Sequence, residues 1–235
     1  MLEENRELIK KYEAEKKEIG MLSICSGDGI AAIFKDINVD RVIEGGQTMN
    51  PSAQDIADAI IKINAENIFV FPNNKNIILA AEQSKSLVEG KKVYVVPTKS
   101  IPQGISAALA MNPEATADEN FLEMIHAIDN VSSGMVTYAV RNAKVDGFSL
   151  TKGDIIALDN KKVLAKGKDL AKVTGDLIEK LRYNAHSLVN LYYGSDVTEE
   201  EATALQATIA ERYPELDVEL FYGGQPIYYY IVSLE

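Results

Sequence analysis

Residues 67–76 read NIFVFPNNKN, an unbroken apolar run that stops at a proline and four polar residues. A strand covered on both faces needs continuous rather than alternating apolar residues, and Pro with Asn marks a turn at its end. The same grammar recurs on either side. Residues 21–25 (MLSIC) run into Ser26-Gly27-Asp28-Gly29 and a helix near 29–36, and residues 41–43 (RVI) run into 44–51 and a helix near 52–64. Residues 67–71 lead through 72–76 to a helix near 76–88, and residues 93–96 (VYVV) lead into a polar loop over 97–104. Strands that alternate with helices in this way specify a parallel sheet built of βαβ units with right-handed crossovers. Ile56, Ala59, Ile60 and Ile63 fall at helical spacing, and Ser52 with Asp55 forms a capping pair. Thr116 and Glu119 stand in the same relation before a helix near 117–129.

Beyond Val131 the pattern changes. MVTYAVRNA (135–143) alternates as a strand, and GDIIALDNKKVLAKG (153–167) reads as two strands around a turn at Asp159-Asn160. Helices near 169–183 and 198–212, the second opened by Thr198 and Glu201, alternate with strands at 187–193, 218–222 and 226–234. The expected fold class is therefore α/β: a parallel-sheet lobe over 20–131 followed by a mixed α+β lobe over 132–235. Residues 1–19 are mostly charged, with Leu8, Ile9 and Tyr12 as a thin apolar stripe, and read as a helical linker. Gly45-Gly46-Gln47 recurs as Gly223-Gly224-Gln225 after a strand in the second lobe, weak evidence of duplication.

Composition narrows the function. A net charge of −11 repels phosphate backbones, and no Lys/Arg cluster interleaved with aromatics counters it, which argues against nucleic acid. Cys25 is the one cysteine, so neither a disulfide framework nor a thiolate metal cluster can be built, and a reducing cytoplasm is expected. No apolar run approaches the roughly 20 residues of a membrane span.

Loops that follow parallel strands gather at one sheet edge, where open α/β folds bind ligands. There the sequence offers Ser26, Asp28, Gly45, Gly46, Gln47, Thr48, Asn50, Pro51, Asn73, Asn74, Lys75, Thr98, Lys99, Ser100 and Gln103. Turn preference alone explains any one such loop; four on one edge argue for a binding surface. Ser-Gly-Asp-Gly before a helix could cradle an anion, but Asp28 opposes one. No Gly-x-x-x-x-Gly-Lys-Ser/Thr or Gly-x-Gly-x-x-Gly sequence occurs. His126 and His186 lack partners at metal spacing, and no base accompanies Ser26, Ser100 or Cys25 as a nucleophile. Asp28, Glu44 and Asp55 are open as acid/base groups. The aromatics Tyr192, Tyr193, Phe221, Tyr222, Tyr228, Tyr229 and Tyr230 fit an interface and plain strand propensity equally well.

Four motifs in order, VIEGGQTMNPSAQDI (42–56), FPNNKNI (71–77), VPTKSIPQG (96–104) and GGQPIYYY (223–230), resemble the C-terminal domain of the large subunit of bacterial fatty acid kinase, a dihydroxyacetone-kinase-like group. The resemblance runs from Met21 to Glu235 and implies a DegV-like two-lobed architecture. It implies that this domain docks a small subunit that carries a fatty acid, whose carboxylate becomes an acyl phosphate for phospholipid synthesis. Gly46 to Ser52 then stands where the carriers have a loop holding that carboxylate, and Gly223, Gly224 and Gln225 join the candidate surface. ATP and magnesium are expected only in a kinase domain outside this chain, which by itself is expected to be no enzyme. A homodimeric full-length protein and a monomeric isolated domain are implied too. The runner-up is a lipid-binding protein that holds an acyl chain between its lobes.

Overall fold

The computed structural model describes residues 16–46, 49–160, 162–183 and 186–235. The expected linker helix lies outside them up to residue 15, and its end is not helical, because β1 (Lys17–Cys25) begins at Lys17. Lys17 and Glu18 are exposed, yet the backbone already pairs with the neighbouring strand, Lys17 opposite Ala65. The apolar run thus marks only the buried part of the strand. The chain continues through α1 (Asp28–Asp36), β2 (Arg41–Glu44), α2 (Ala53–Ile61), β3 (Ala65–Phe71), α3 (Ile78–Ser84) and β4 (Lys92–Val95). All four strands are parallel, in the order β2-β1-β3-β4. Capping boxes form at Ser52–Asp55, Thr116–Glu119 and Thr198–Glu201, as the spacing predicts.

The stretch 98–104, expected as a loop, contains the start of α4 (Ile101–Leu109). Pro102 and Gly104 look like turn residues, but Pro102 sits in the first helical turn, where its missing N–H has no intrahelical acceptor to lose. Ser100 caps the helix by accepting a hydrogen bond from the Gln103 amide.

After α5 (Ala117–Asp129) come β5 (Ser132–Tyr138), the small hairpin β6 (Ala143–Val145) and β7 (Phe148–Leu150), then β8 (Ile155–Leu158) and β9 (Val163–Gly167). The chain ends with α6 (Leu170–Leu181), β10 (Leu188–Tyr193), α7 (Glu199–Arg212), β11 (Asp217–Tyr222) and β12 (Tyr230–Leu234). The second sheet runs β11-β10-β12-β5-β8-β9, with β10 and β11 parallel and its other neighbours antiparallel. The last strand starts at Tyr230 rather than at 226. Ile227 has φ +73°, and the Tyr228 N–H donates to the Pro226 carbonyl at 2.8 Å, a tight three-residue turn that no strand can contain.

Three apolar cores stack through the molecule. One joins α2 and α3 to the outer face of the first sheet, through residues such as Ile56, Ile60, Val70 and Ala81. Another joins α6 and α7 to the second sheet, through Val173, Leu177, Leu205 and Val232. The middle core is shared: Phe34 of α1, Ala108 of α4 and Met124 of α5 pack with Phe69 of the first sheet and with Tyr192 and Ile231 of the second. The two lobes therefore share apolar surface that neither could leave in water. Much of the aromatic tail is ladder: Tyr192 faces Phe221 and Tyr193 faces Tyr222 across β10 and β11, each pair with centroids 5.3 Å apart.

Candidate functional site at the lobe junction

The chain goes from β1 outward to β2 and then back across β1 to β3, so the strand order reverses between β1 and β3. Such a switch point opens a crevice at the carboxyl ends of the strands. Here Asn73 fills it. Held at φ +56° and only 6% exposed, it receives its orientation from three hydrogen bonds. Its backbone N–H donates to Thr98 Oγ1 (2.9 Å), and its Nδ2 donates to Ser23 Oγ (2.9 Å) and to the Ile24 carbonyl (3.0 Å). Ser23 opposite Phe71 is the last register pair of β1 and β3, so the Asn73 amide extends that ladder by one acceptor. Gly104 of α4 allows the approach, since a Cβ there would lie 2.0 Å from Asn73 Oδ1.

Neighbouring side chains tie the loops to each other and to the second lobe. Asn74 Nδ2 donates to the Gly46 carbonyl at 2.6 Å, and Lys75 Nζ reaches the Asn160 carbonyl of the β8–β9 turn at 3.0 Å. Ser133 of β5 donates to Ser100 Oγ at 2.8 Å. The space left between the lobes is a cavity of about 180 Å³, bordered by Asn73, Asn74, Lys75, Lys99, Ser100 and Tyr228 among others. A second void of about 20 Å³, beside Ser26, Gly45 and Gln225, has room for a single water.

The other glycine-rich motifs form the seam between the lobes. The Ile30 N–H at the start of α1 donates to the Gly223 carbonyl at 2.9 Å, and a Cβ on Gly29 would lie 2.1 Å from the Tyr222 carbonyl oxygen. Amides that an anion would need are thus committed to protein. Asp28 accepts from the Gly29 N–H at 3.0 Å, and its charge raises the pKa of the Tyr222 phenol. Gln225 is buried, its Nε2 donating to the Tyr192 carbonyl at 2.8 Å.

The structure therefore brings Ser26, Gly45, Gly46, Asn73, Asn74, Lys75, Lys99, Ser100 and Gln225 to the two voids. Thr98 lies behind Asn73, Gln103 sits one turn into α4 with Oε1 accepting from the Lys99 amide (2.8 Å), and Asp28, Gly223 and Gly224 belong to the seam. Asn50 and Pro51 border neither void, and Gln47 and Thr48 lie outside the described residues. Ser133, Asp159, Asn160, Tyr228 and Ile231 complete the cavity from the second lobe. Sequence spacing gave no sign that they meet the first lobe's loops, because their positions depend on sheet order.

Reactive chemistry finds little support at this edge. Burial, with Glu44 nearby, pushes the Cys25 thiol up to about 12, away from the thiolate a nucleophile needs. Asp55 is spent on its cap, where bonds from Ser52 hold its carboxyl below the usual range. Among the described residues no three His, Cys, Asp or Glu side chains converge as metal ligands. His186 Nδ1 accepts from the Tyr183 amide at 3.1 Å, and His126 lies exposed beside Glu123. No described helix is long and apolar enough to cross a membrane.

Two lobes joined across such a switch point define the DegV-type class. The chain superposes on the DegV family protein Cg2579 of Corynebacterium glutamicum with a TM-score of 0.68 at 13% identity, covering 93% of this chain and 97% of that one. The Streptococcus pneumoniae Fatty Acid Kinase (Fak) B3 protein, solved loaded with linoleic acid, gives 0.59 at 13% identity, covering 93% and 99%. Within that class the sequence is more specific: residues 20–235 match the FakA-like C-terminal family of fatty acid kinase, and the chain belongs to it. Protein YloV of Bacillus subtilis is 42% identical over 220 residues, which is 94% of this chain and 40% of that protein. The chain thus spans less than half the length of the curated relatives it matches, 40% of one and 44% of a Staphylococcus aureus protein.

Proposed function

We propose that this domain docks the acyl-carrying small subunit of a fatty acid kinase in the cytoplasm and positions the fatty acid carboxylate for phosphorylation by a kinase segment outside residues 16–235. The observation that carries this reading is the filled switch point. The domain has the fold of an acyl carrier, but Asn73 occupies the crevice and leaves about 180 Å³ with a rim of Asn, Lys and Ser. Ligand pockets usually enclose roughly 300–1,000 Å³ of mostly apolar space. An acyl chain held between the lobes, the rival reading, would have to displace Asn73 from its hydrogen bonds to Thr98, Ser23 and Ile24, and Tyr228 from the border of the same void. A carrier fold whose switch-point crevice is occupied by a buried Asn is suited to recognising the carrier.

The residues at this edge do not fit a nucleotide. The Ser26–Gly29 turn that opens α1 gives its Ile30 amide to Gly223, and Asp28 puts a negative charge beside it. We propose that ATP and magnesium bind a segment outside this chain. Titration calorimetry of the domain against an acyl-loaded small subunit tests the reading: saturable binding at micromolar concentration is expected, and no heat at high micromolar concentration would sink it.

A further inference from the structure

On the face of the second sheet turned away from the lobe junction, α6 and α7 pack side by side. Their carboxyl ends are bridged, with Arg212 Nη2 3.8 Å from Glu179 Oε2. Their amino ends part around a groove of about 320 Å³. Leu170 and Ala171 wall it from α6, Ala204 and Leu205 wall it from α7, and Tyr230 of β12 borders it from the sheet. Small-molecule sites usually have roughly 300–1,000 Å³ and mostly apolar walls, and this groove has both. Tyr230 is 1% exposed, yet its hydroxyl makes no hydrogen bond to any described residue. A buried tyrosine hydroxyl ordinarily has a partner. Burial, with the charge of Glu201, pushes this phenol up to about 12, so it stays protonated and can both donate and accept. The influence of Glu201, which also borders the groove, sets the hydroxyl at that end of it.

Two carboxylates stand at the rim, and each has an oxygen to spare. Asp169 Oδ1 accepts the Lys172 amide at 2.7 Å, and Glu201 Oε2 accepts the Thr198 amide at 2.9 Å. These caps offset the positive amino ends of the two helices. Neither carboxylate has an ion-pair partner among the described residues. We propose that this groove binds a small organic amine, its apolar body between α6 and α7 and its ammonium among Asp169, Glu201 and the Tyr230 hydroxyl. An anion would meet two carboxylates there, whereas a cation is drawn in by them and by the net charge of −11. A cavity of about 150 Å³ already holds benzene, so this groove suits one ring with a short arm. The site lies on the opposite face of the sheet from the switch point and is independent of the docking reading above.

The test is an NMR titration of the full chain at neutral pH with three probes that share one apolar body: 2-phenylethylamine, 2-phenylethanol and 3-phenylpropionate. The amine should shift the amides of Leu170, Ala171, Ala204 and Leu205 saturably, with Kd of about 10 mM or tighter, the floor for a molecule of its size. The alcohol should bind about threefold to tenfold more weakly, and the carboxylate should not saturate. Asp169→Asn combined with Glu201→Gln keeps both caps and removes both charges. It should bring the amine down to the affinity of the alcohol and leave the alcohol unchanged, a split that a merely structural role would not produce. Tyr230→Phe keeps the ring and should weaken the amine about threefold or more. Ala204→Met and, separately, Thr208→Leu change exposed groove positions to larger side chains and should each abolish the shifts. Equal affinity for the three probes, or tightest binding by the carboxylate, would overturn the assignment of an amine. Amine binding that survives both filling variants would place it elsewhere and refute the site, as would no saturation by the amine up to about 10 mM.

Discussion

Asn73 makes two separable demands on its position, and substitution can divide them. Its side chain supplies two hydrogen bonds in a buried setting, to Ser23 Oγ and to the Ile24 carbonyl, and its backbone sits at φ +56°. Each intramolecular hydrogen bond contributes about 0.5–1.5 kcal/mol, and a buried acceptor left unpaired costs at the upper end. A left-handed backbone adds roughly 1 kcal/mol for a residue with a Cβ that, unlike Asn, gains no local hydrogen bond from it. Asn73→Ala should therefore lose about 2–4 kcal/mol, and Asn73→Gly about 1 kcal/mol less, because glycine accepts positive φ freely. Urea unfolding followed by circular dichroism gives both values. A loss below about 0.5 kcal/mol for Ala would refute the claim that Asn73 closes the crevice. A Gly variant less stable than the Ala variant would refute the backbone part.

The seam and an ion pair give two further expectations. Gly29→Ala places a methyl against the Tyr222 carbonyl, where the unperturbed position is 2.1 Å away, and should cost about 1–3 kcal/mol as one lobe is pushed from the other. At this chain length that is roughly 3–10 °C in Tm by calorimetry; an unchanged Tm would mean the seam is not tightly fitted. Asp154 is buried, and Lys168 with the Thr151 amide lowers its carboxyl from 3.8 to about 2. A depressed carboxylate contributes stability that is present above its unfolded pKa and lost as pH falls through the folded one. Asp154→Asn should thus lower Tm near neutral pH, with the gap to wild type closing between about pH 4 and pH 2; a gap that is constant with pH would exclude the ionic origin.

The parallel sheet could be read in advance because βαβ units keep each strand, its turn and its helix contiguous, so periodicity and capping boxes such as Ser52–Asp55 report on them directly. The four polar loops were legible for the same reason. The function of each loop residue was not. Gly29 and Gly223 look like ligand-binding glycines, and only the packing of β11 on α1 shows that Gly29 abuts the Tyr222 carbonyl and that the Gly223 carbonyl accepts from the Ile30 amide. Pro102 and Gly104 hid α4, because the helix tolerates the proline in its first turn and needs the glycine for Asn73. Ile227, a β-branched residue at φ +73°, broke a strand that every local preference supported; the Thr137 hydroxyl donates to its carbonyl at 2.7 Å and fixes the turn from another part of the sheet.

Native mass spectrometry of the purified chain, alone and mixed with an acyl-loaded small subunit, addresses the central claim in one instrument. The filled switch point predicts a bare mass for the chain alone and, in the mixture, a 1:1 complex that retains a single acyl chain, released on collision with the small subunit. A chain that carries lipid by itself and forms no complex with the carrier would contradict the account.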